Sequence, residues 1–205
     1  MAYEHLLIFG GVCIAVWFLA IYFWPRLFLL VFKRAILVNG GGDGPIPINT
    51  LYTGPQALFA DPLHPPAGAS KLWTTGVNHD TLLTVGWLDL RKGPQILQVP
   101  DMAGRYYSVQ FNDPSKNANI AYVGKRTTGT GAGEYLVSGP RWKGTVPRGM
   151  TRISSPNNSV LVIGRTLVES DGDLPAAYAL AKQIQILPFT IRQAGDQRIG
   201  AGTSV

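Results

Sequence analysis

Polar residues between positions 78 and 165 have the side-chain types that bind anions or transfer protons. They are Asn78, Asp80, Asp89, Arg105, Tyr107, Arg126, Thr127 and Arg165. In a functional interpretation, the three arginines converge on an anionic group beside Tyr106 or Tyr107, because guanidinium groups donate paired hydrogen bonds to carboxylates and phosphates. In a structural interpretation, Asn and Asp form turns, and Asp89 pairs with Arg91 or Arg105 across strand ends. We favour the structural interpretation.

Sequence motifs of common catalytic centres are absent. GTGAG at 129–133 lacks the final glycine and the strand–helix–strand context of a dinucleotide site, and GKRT at 124–127 lacks the Lys-Ser/Thr pair of a phosphate loop. His5, His64 and His79 do not have the spacing of metal ligands, and no G-x-S-x-G elbow occurs. We therefore predict no catalytic residue, no metal and no cofactor, which favours a protein that is not an enzyme.

An uncharged run of nineteen residues, 6–24, precedes these polar residues. At about 1.5 Å of rise per residue, a helix of this length crosses roughly the 30 Å hydrocarbon core of a bilayer. A cleaved signal peptide usually has a basic N-terminal region, whereas residues 1–5 contain no Lys or Arg. We therefore predict a retained single-pass anchor that contacts membrane lipids through residues 6–32.

Pro25 leaves two geometries for the end of this anchor. Either one tilted helix continues to Phe32, or the span stops near Pro25 and turns into an interfacial helix; we favour the second. Arg26, Lys33 and Arg34 all follow the span, and this charge bias alone places the remaining chain in the cytoplasm.

Four regions are predicted along the chain. Residues 1–34 form the anchor and interfacial segment, and residues 35–70 form a linker because glycine and proline are frequent there. Residues 71–190 alternate short apolar runs with turn-rich segments, which is typical of an all-β sandwich or jelly roll. Residues 191–205 form a tail. Strands are expected at 81–90, 94–100, 105–112, 118–124, 133–139, 151–155 and 159–168.

One helix is predicted near the end of the β-rich domain. Asp173 caps it, Pro175 lies in its first turn, and Pro188 ends it. An apolar stripe on this helix covers an open face of a sheet. The stripe consists of Leu174, Ala177, Tyr178, Ala181 and Ile184.

The charge of the chain is positive but dispersed along the sequence. The formal net charge is +6, and no block of cations forms the clustered stripe expected of a nucleic-acid-binding protein. Attraction to anionic lipid headgroups fits this charge better, because the anchor holds the domain near the membrane. The single cysteine, Cys13, lies in the span, so the predicted domain forms no internal disulfide.

Residues 78–114, 124–144 and 163–188 together resemble the family called domain of unknown function 1254. The resemblance rests on the elements N-x-D-T-L, L-D-L-x-x-G-P, G-R-Y-Y, R-T-T-G and G-R-T. It implies a jelly-roll-like domain in bacterial envelope or exported proteins. It also implies a second β domain, called domain of unknown function 1214, and we expect that domain on a separate partner chain. Because many members of the family carry secretion signals, the resemblance favours a periplasmic domain on the bacterial inner membrane, against the charge bias.

The sequence leaves two functions open. The first is a membrane-anchored accessory or scaffold subunit that docks on a membrane complex or on a companion β-domain protein. The second is an envelope enzyme or a binder of a small or lipid-like ligand with an anionic head, held by the Arg/Tyr cluster. We favour the first, because no nucleophile–base or metal signature is present.

Overall fold

A computed structural model describes residues 2–39, 44–54, 80–116 and 118–189. A long helix, α1 (Ala2–Asn39), precedes a β-rich domain that ends with a short helix and one further strand. The strands are β1 (Leu51–Thr53), β2 (Thr81–Asp89), β3 (Gln95–Val99), β4 (Tyr107–Asp113), β5 (Ala118–Gly124), β6 (Gly133–Ser138), β7 (Thr151–Ser154), β8 (Ser159–Leu167) and β9 (Gln185–Pro188). A 3₁₀ turn (Asp171–Asp173) leads into α2 (Leu174–Ala181).

The apolar N-terminal segment forms one continuous helix. α1 contains Pro25 in its interior, so the predicted break at this residue is wrong. Proline removes one backbone hydrogen bond, but the apolar residues on both sides continue the helix across it. Among the described residues, α1 is the one helix long and apolar enough to cross a membrane. A membrane anchor and a signal sequence both fit these dimensions.

The β-rich domain is a sandwich of two sheets, as the sequence predicts. The first sheet has the strand order β1-β2-β8-β4-β5 and the second has the order β7-β6-β3-β9. All neighbouring strands are antiparallel except β6 and β7, which are parallel. All seven predicted strands are present.

The core lies between the two sheets. Tyr107, Val109 and Phe111 all point into it, which confirms the alternation predicted for this strand. Across the core they meet residues of the second sheet such as Leu97 and Val137. α2 closes one end of the sandwich through a small cluster of buried residues. This cluster consists of Leu82, Val168, Ala177 and Ala181.

The two ends of the sandwich have different connections. The α2 end contains α2, the 3₁₀ turn and the loops at 100–106 and 125–132. The turn end contains the four turns at 90–94, 114–116, 139–142 and 155–158.

Two parts of the chain differ from the sequence-based expectation. Residues 51–53 pair with β2, and Ile46 is buried against Trp87, so the folded domain begins before residue 71. The predicted final helix ends at Ala181, and residues 185–188 pair with β3 instead. Both added strands are short edge strands, which carry little sequence signal of their own. Most of the predicted linker and the predicted tail lie outside the described residues.

Candidate functional site

The fold collects most of the predicted polar residues at the α2 end. Asp80 precedes β2, Arg105 lies in the loop before β4, Tyr107 begins β4, Arg126 and Thr127 follow β5, and Arg165 lies near the end of β8. Asp89 lies at the turn end, away from the others. Asn78 lies outside the described residues.

Arg105 forms an ion pair with Asp173 that fixes the α2 end. Arg105 Nη1 and Nη2 donate to the two Asp173 carboxylate oxygens at 2.5 and 2.7 Å, and Nη1 also donates to the Leu167 carbonyl at 2.8 Å. The two side chains are only 15% and 19% exposed. The hydrogen bonds from Arg105 lower the pKa of Asp173 to about 2. Both terminal nitrogens of this guanidinium group therefore donate to protein atoms and are not free to bind a ligand.

Sequence reasoning missed Asp173 as the partner of Arg105. The sequence assigned Asp173 to capping the final helix, but its side chain makes no capping hydrogen bond. Its oxygens instead accept hydrogen bonds from Arg105 and from the backbone N–H of Glu169. A pair separated by 68 positions leaves no local signal, because only the approach of β4 to the 3₁₀ turn brings the two side chains together.

Arg126 and Arg165 remain exposed at the surface of the α2 end. The guanidinium carbon of Arg126 lies 5.6 Å from the centre of the Tyr106 ring, a cation–π geometry. Arg165 lies on the outer face of the first sheet, where Ser108 is its cross-strand neighbour on β4. Neither arginine contacts a carboxylate among the described residues. Both can still receive an anionic group from solvent.

The interior beside Arg105 holds polar atoms without hydrogen-bond partners. Tyr107 and Thr166 are cross-strand neighbours and are fully buried. Neither the Tyr107 hydroxyl nor the Thr166 hydroxyl makes a hydrogen bond of normal geometry, and Arg105 Nε also lacks a partner. Burial raises the pKa of Tyr107, with a smaller opposing effect of Thr128.

Thr127 and its neighbour Thr128 stabilise the turn that carries Arg126. Their backbone N–H groups donate to the Gly124 carbonyl at 2.9 and 2.8 Å, and the Thr127 hydroxyl donates to the same oxygen at 3.2 Å. A methyl group at Gly124 would overlap the Tyr107 carbonyl, so the close approach of β5 and β4 requires glycine here. Thr127 therefore has a structural contact in this fold.

Asp89 pairs with Arg91, one of the two partners that the sequence suggested. Arg91 Nη2 and Nε donate to the carboxylate at 2.5 and 3.0 Å. This hydrogen bond lowers the pKa of Asp89, and the charge of Lys33 on α1 lowers it further. The Asp89 carboxylate is therefore engaged by Arg91 within the turn that follows β2.

The described residues contain no cluster of three or more His, Cys, Asp or Glu side chains that could hold a metal ion. What the α2 end offers chemically is two exposed guanidinium groups, Arg126 beside Tyr106 and Arg165 on the outer face of the first sheet. Such groups bind carboxylates and phosphates through charge-assisted hydrogen bonds.

Comparison with known proteins gives a family and a related fold. None of the curated proteins matches this sequence. A crystal structure of the VPA0106 protein from Vibrio parahaemolyticus is similar, with 29% sequence identity and a TM-score of 0.51. The match covers 63% of this chain but only 31% of that protein. Residues 61–188 match the family described as protein of unknown function DUF1254, and the chain belongs to this family.

Proposed function

We propose that this protein is a membrane-anchored accessory module that holds a β-sandwich beside the bilayer and docks there on a second protein. The observation that carries the proposal is the contact between α1 and the sandwich. Ile36 of α1 is 0% exposed and packs with Val85 and Trp87 on the outer face of the first sheet. A loosely tethered domain would make no such contact. The packing of Ile36 holds the sandwich against its helix.

The comparison with VPA0106 supports a protein partner. That protein is more than three times as long as its matched part, so additional chain accompanies the shared sandwich there. We propose that a companion β-domain protein, or a larger membrane complex, supplies the corresponding surface for this chain. The setting proposed is the bacterial inner membrane, with the sandwich in the periplasm.

The free edge of β5 is the surface proposed for this partner. β5 is the last strand of the first sheet, and its outer edge has no neighbouring strand among the described elements. Tyr122 on this strand is 45% exposed, whereas most large apolar side chains of the sandwich are buried. Exposed tyrosines at strand edges are frequent anchors of protein interfaces, and edge strands accept added strands.

Purification of the tagged full chain from native membranes in mild detergent tests this proposal. We expect one protein to co-purify in a fixed ratio, and Tyr122→Arg to abolish its recovery. Ile48→Arg is the matched control, because Ile48 is 42% exposed and lies outside β5. Recovery of the chain alone, or equal recovery of the partner with Tyr122→Arg, would contradict the proposal.

Labelling of an introduced cysteine tests the proposed side of the membrane. Lys182 is exposed just after α2, and Cys13→Ser removes the native thiol. We expect Lys182→Cys in this background to react with a membrane-impermeant maleimide in intact spheroplasts. Reaction only after the membrane is permeabilised would place the sandwich in the cytoplasm.

The second candidate function is binding of a ligand with an anionic head. The observation that favours it is the exposure of Arg126 and Arg165 at one end of the sandwich, without carboxylate partners among the described residues. If Arg126→Ala and Arg165→Ala lower the melting temperature but leave ligand and partner binding unchanged, both residues are structural.

A further inference from the structure

The turn end of the sandwich carries an excess of uncompensated cations. Its two acidic residues are both engaged: Asp89 pairs with Arg91, and Asp113 is buried with hydrogen bonds from Ser115 and Asn157. Lys92 and Arg141 are exposed and contact no carboxylate among the described residues. Six acidic side chains lie instead at the α2 end: Asp80, Asp101, Glu134, Glu169, Asp171 and Asp173.

These two cations line a cleft of about 210 Å³. The turns at 90–94 and 139–142 form its sides, and its lining includes Arg91, Lys92, Arg141, Trp142 and Asn158. A hydrogen bond of 2.8 Å from the Leu90 N–H to the Asn158 carbonyl joins two of these segments. A methyl group at Gly139 would lie 2.6 Å from Asn158 Oδ1, so glycine allows the segments to approach.

Trp142 is held in a fixed position in the wall of this cleft. Its ring makes an edge contact with Phe189 at 6.2 Å between centres, and the Arg152 guanidinium lies 4.8 Å from its ring centre. Arg152 also donates to the Trp142 carbonyl at 3.2 Å and to the Ser138 hydroxyl at 2.9 Å. The cleft therefore combines exposed cations with a rigid aromatic wall.

The C-terminal part of α1 contacts β2, the strand that leads into the turn end. Lys33 Nζ lies 5.1 Å from the Trp87 ring, and its charge acts on Asp89, at the turn end of β2. Ile36, one turn later in the helix, is buried in one cluster with Val85 and Trp87 of β2. Lys33, at the end of the apolar segment, therefore lies beside the half of β2 that leads into the turn end.

We propose that this cleft binds the phosphodiester headgroup of an anionic phospholipid, which deepens the proposed membrane setting and does not depend on the proposed protein partner. Lys92 and Arg141 bind the phosphate oxygens, and Trp142 lies at the level of the headgroups, where tryptophan is frequent. Arg91 already shares its charge with Asp89 and contributes less. Free inorganic phosphate carries the same charged oxygens. The test must therefore distinguish a lipid headgroup from free phosphate.

Native mass spectrometry of the full chain in a neutral detergent tests the site. The probes are phosphatidylglycerol, phosphatidylcholine and inorganic phosphate, each titrated separately. We expect phosphatidylglycerol to bind more tightly than phosphatidylcholine, and the double variant Lys92→Gln/Arg141→Gln to weaken it about thirtyfold, because each cation near an anionic lipid contributes on the order of fivefold.

Lys125→Gln/Lys182→Gln is the matched control, since it removes the same charge from exposed residues at the α2 end. We expect this control to keep the affinity of the wild-type chain. Equal affinity for the two lipids, or equal weakening by both double variants, would overturn the proposal. Inorganic phosphate that competes with phosphatidylglycerol at similar concentrations would assign the cleft to free phosphate and overturn the lipid source.

Discussion

The Arg105–Asp173 pair at the α2 end and the Arg91–Asp89 pair at the turn end have the same closest distance, 2.5 Å. They differ in surroundings. Arg105 is 15% exposed and also bonds the Leu167 carbonyl, whereas Arg91 is 71% exposed. An ion pair away from water becomes costly to break, because the remaining charge is left without a partner. The pair at the α2 end therefore stabilises the fold, whereas the pair at the turn end stays largely in contact with water and contributes little.

Removal of a buried apolar side chain at the α2 end should have the largest effect on the free energy of unfolding. Leu82 is 0% exposed and packs with Val168, Ala177 and Ala181. We expect Leu82→Ala to lower the free energy of unfolding by about 3 kcal/mol, because it removes buried surface and leaves a cavity. Urea titration in neutral detergent measures this. Leu83→Ala, on the half-exposed opposite face of the strand, should cost less than half as much; equal losses would contradict the role of α2 as a packed cover.

One substitution at each end tests whether the two ion pairs contribute differently to stability. We expect Arg105→Ala to lower the free energy of unfolding by about 2 kcal/mol, since Asp173 would keep its charge without a cation beside it in a largely buried position. Arg91→Ala removes the same side chain at the exposed pair and should leave the melting temperature unchanged. A similar loss for both variants would show that the two ends do not differ in this way.

Acid should lower the stability of the fold, because it protonates Asp173 at the α2 end. Its pKa is about 2 in the folded protein and 3.8 without these contacts. A carboxylate with a lowered pKa stabilises the fold above its unfolded pKa, and this stability is lost as pH falls from about 4 to about 2. We expect the stability difference between wild type and Asp173→Asn, about 1–2 kcal/mol at neutral pH, to shrink over this range in urea titrations. A difference that stays constant down to pH 2 would contradict the assignment.

The smallest effect on stability is expected at the turn end. Lys92→Gln/Arg141→Gln changes exposed side chains that contact no carboxylate among the described residues. The melting temperature should shift by no more than about 1–2 °C, because such surface substitutions rarely alter stability. A larger loss would mean that these cations support the fold, and the turn end would then resemble the α2 end.

Much of the sandwich could be predicted from local pattern. The alternation of Tyr107, Val109 and Phe111 already identified the buried face of β4. β1 and β9 were missed because three or four residues cannot show a periodic pattern, and both strands exist only as edge partners of β2 and β3. The break at Pro25 was wrong for a related reason, since the apolar helix on both sides outweighs a single missing hydrogen bond.

The candidate site was less predictable than the fold. The sequence selected Arg105, Arg126 and Arg165 as one group, but their different surroundings arise from long-range contacts. Arg105 pairs with a residue 68 positions away, whereas Arg126 stacks on Tyr106 and Arg165 lies on the outer sheet face. Local composition cannot distinguish a buried arginine from an exposed one when both occur in strand and turn segments.

The sequence by itself determined the apolar helix, the β-rich domain and its membership of a family, because hydrophobic period and turn residues act over neighbouring positions. Only the tertiary structure decided how charge is distributed. Cations that are dispersed along the chain, such as Lys92 and Arg141, meet at one end of the sandwich, and Arg105 is drawn into a pair at the other. The physical reason is that strand order and register bring together residues from distant positions, and electrostatic interactions depend on distance in space.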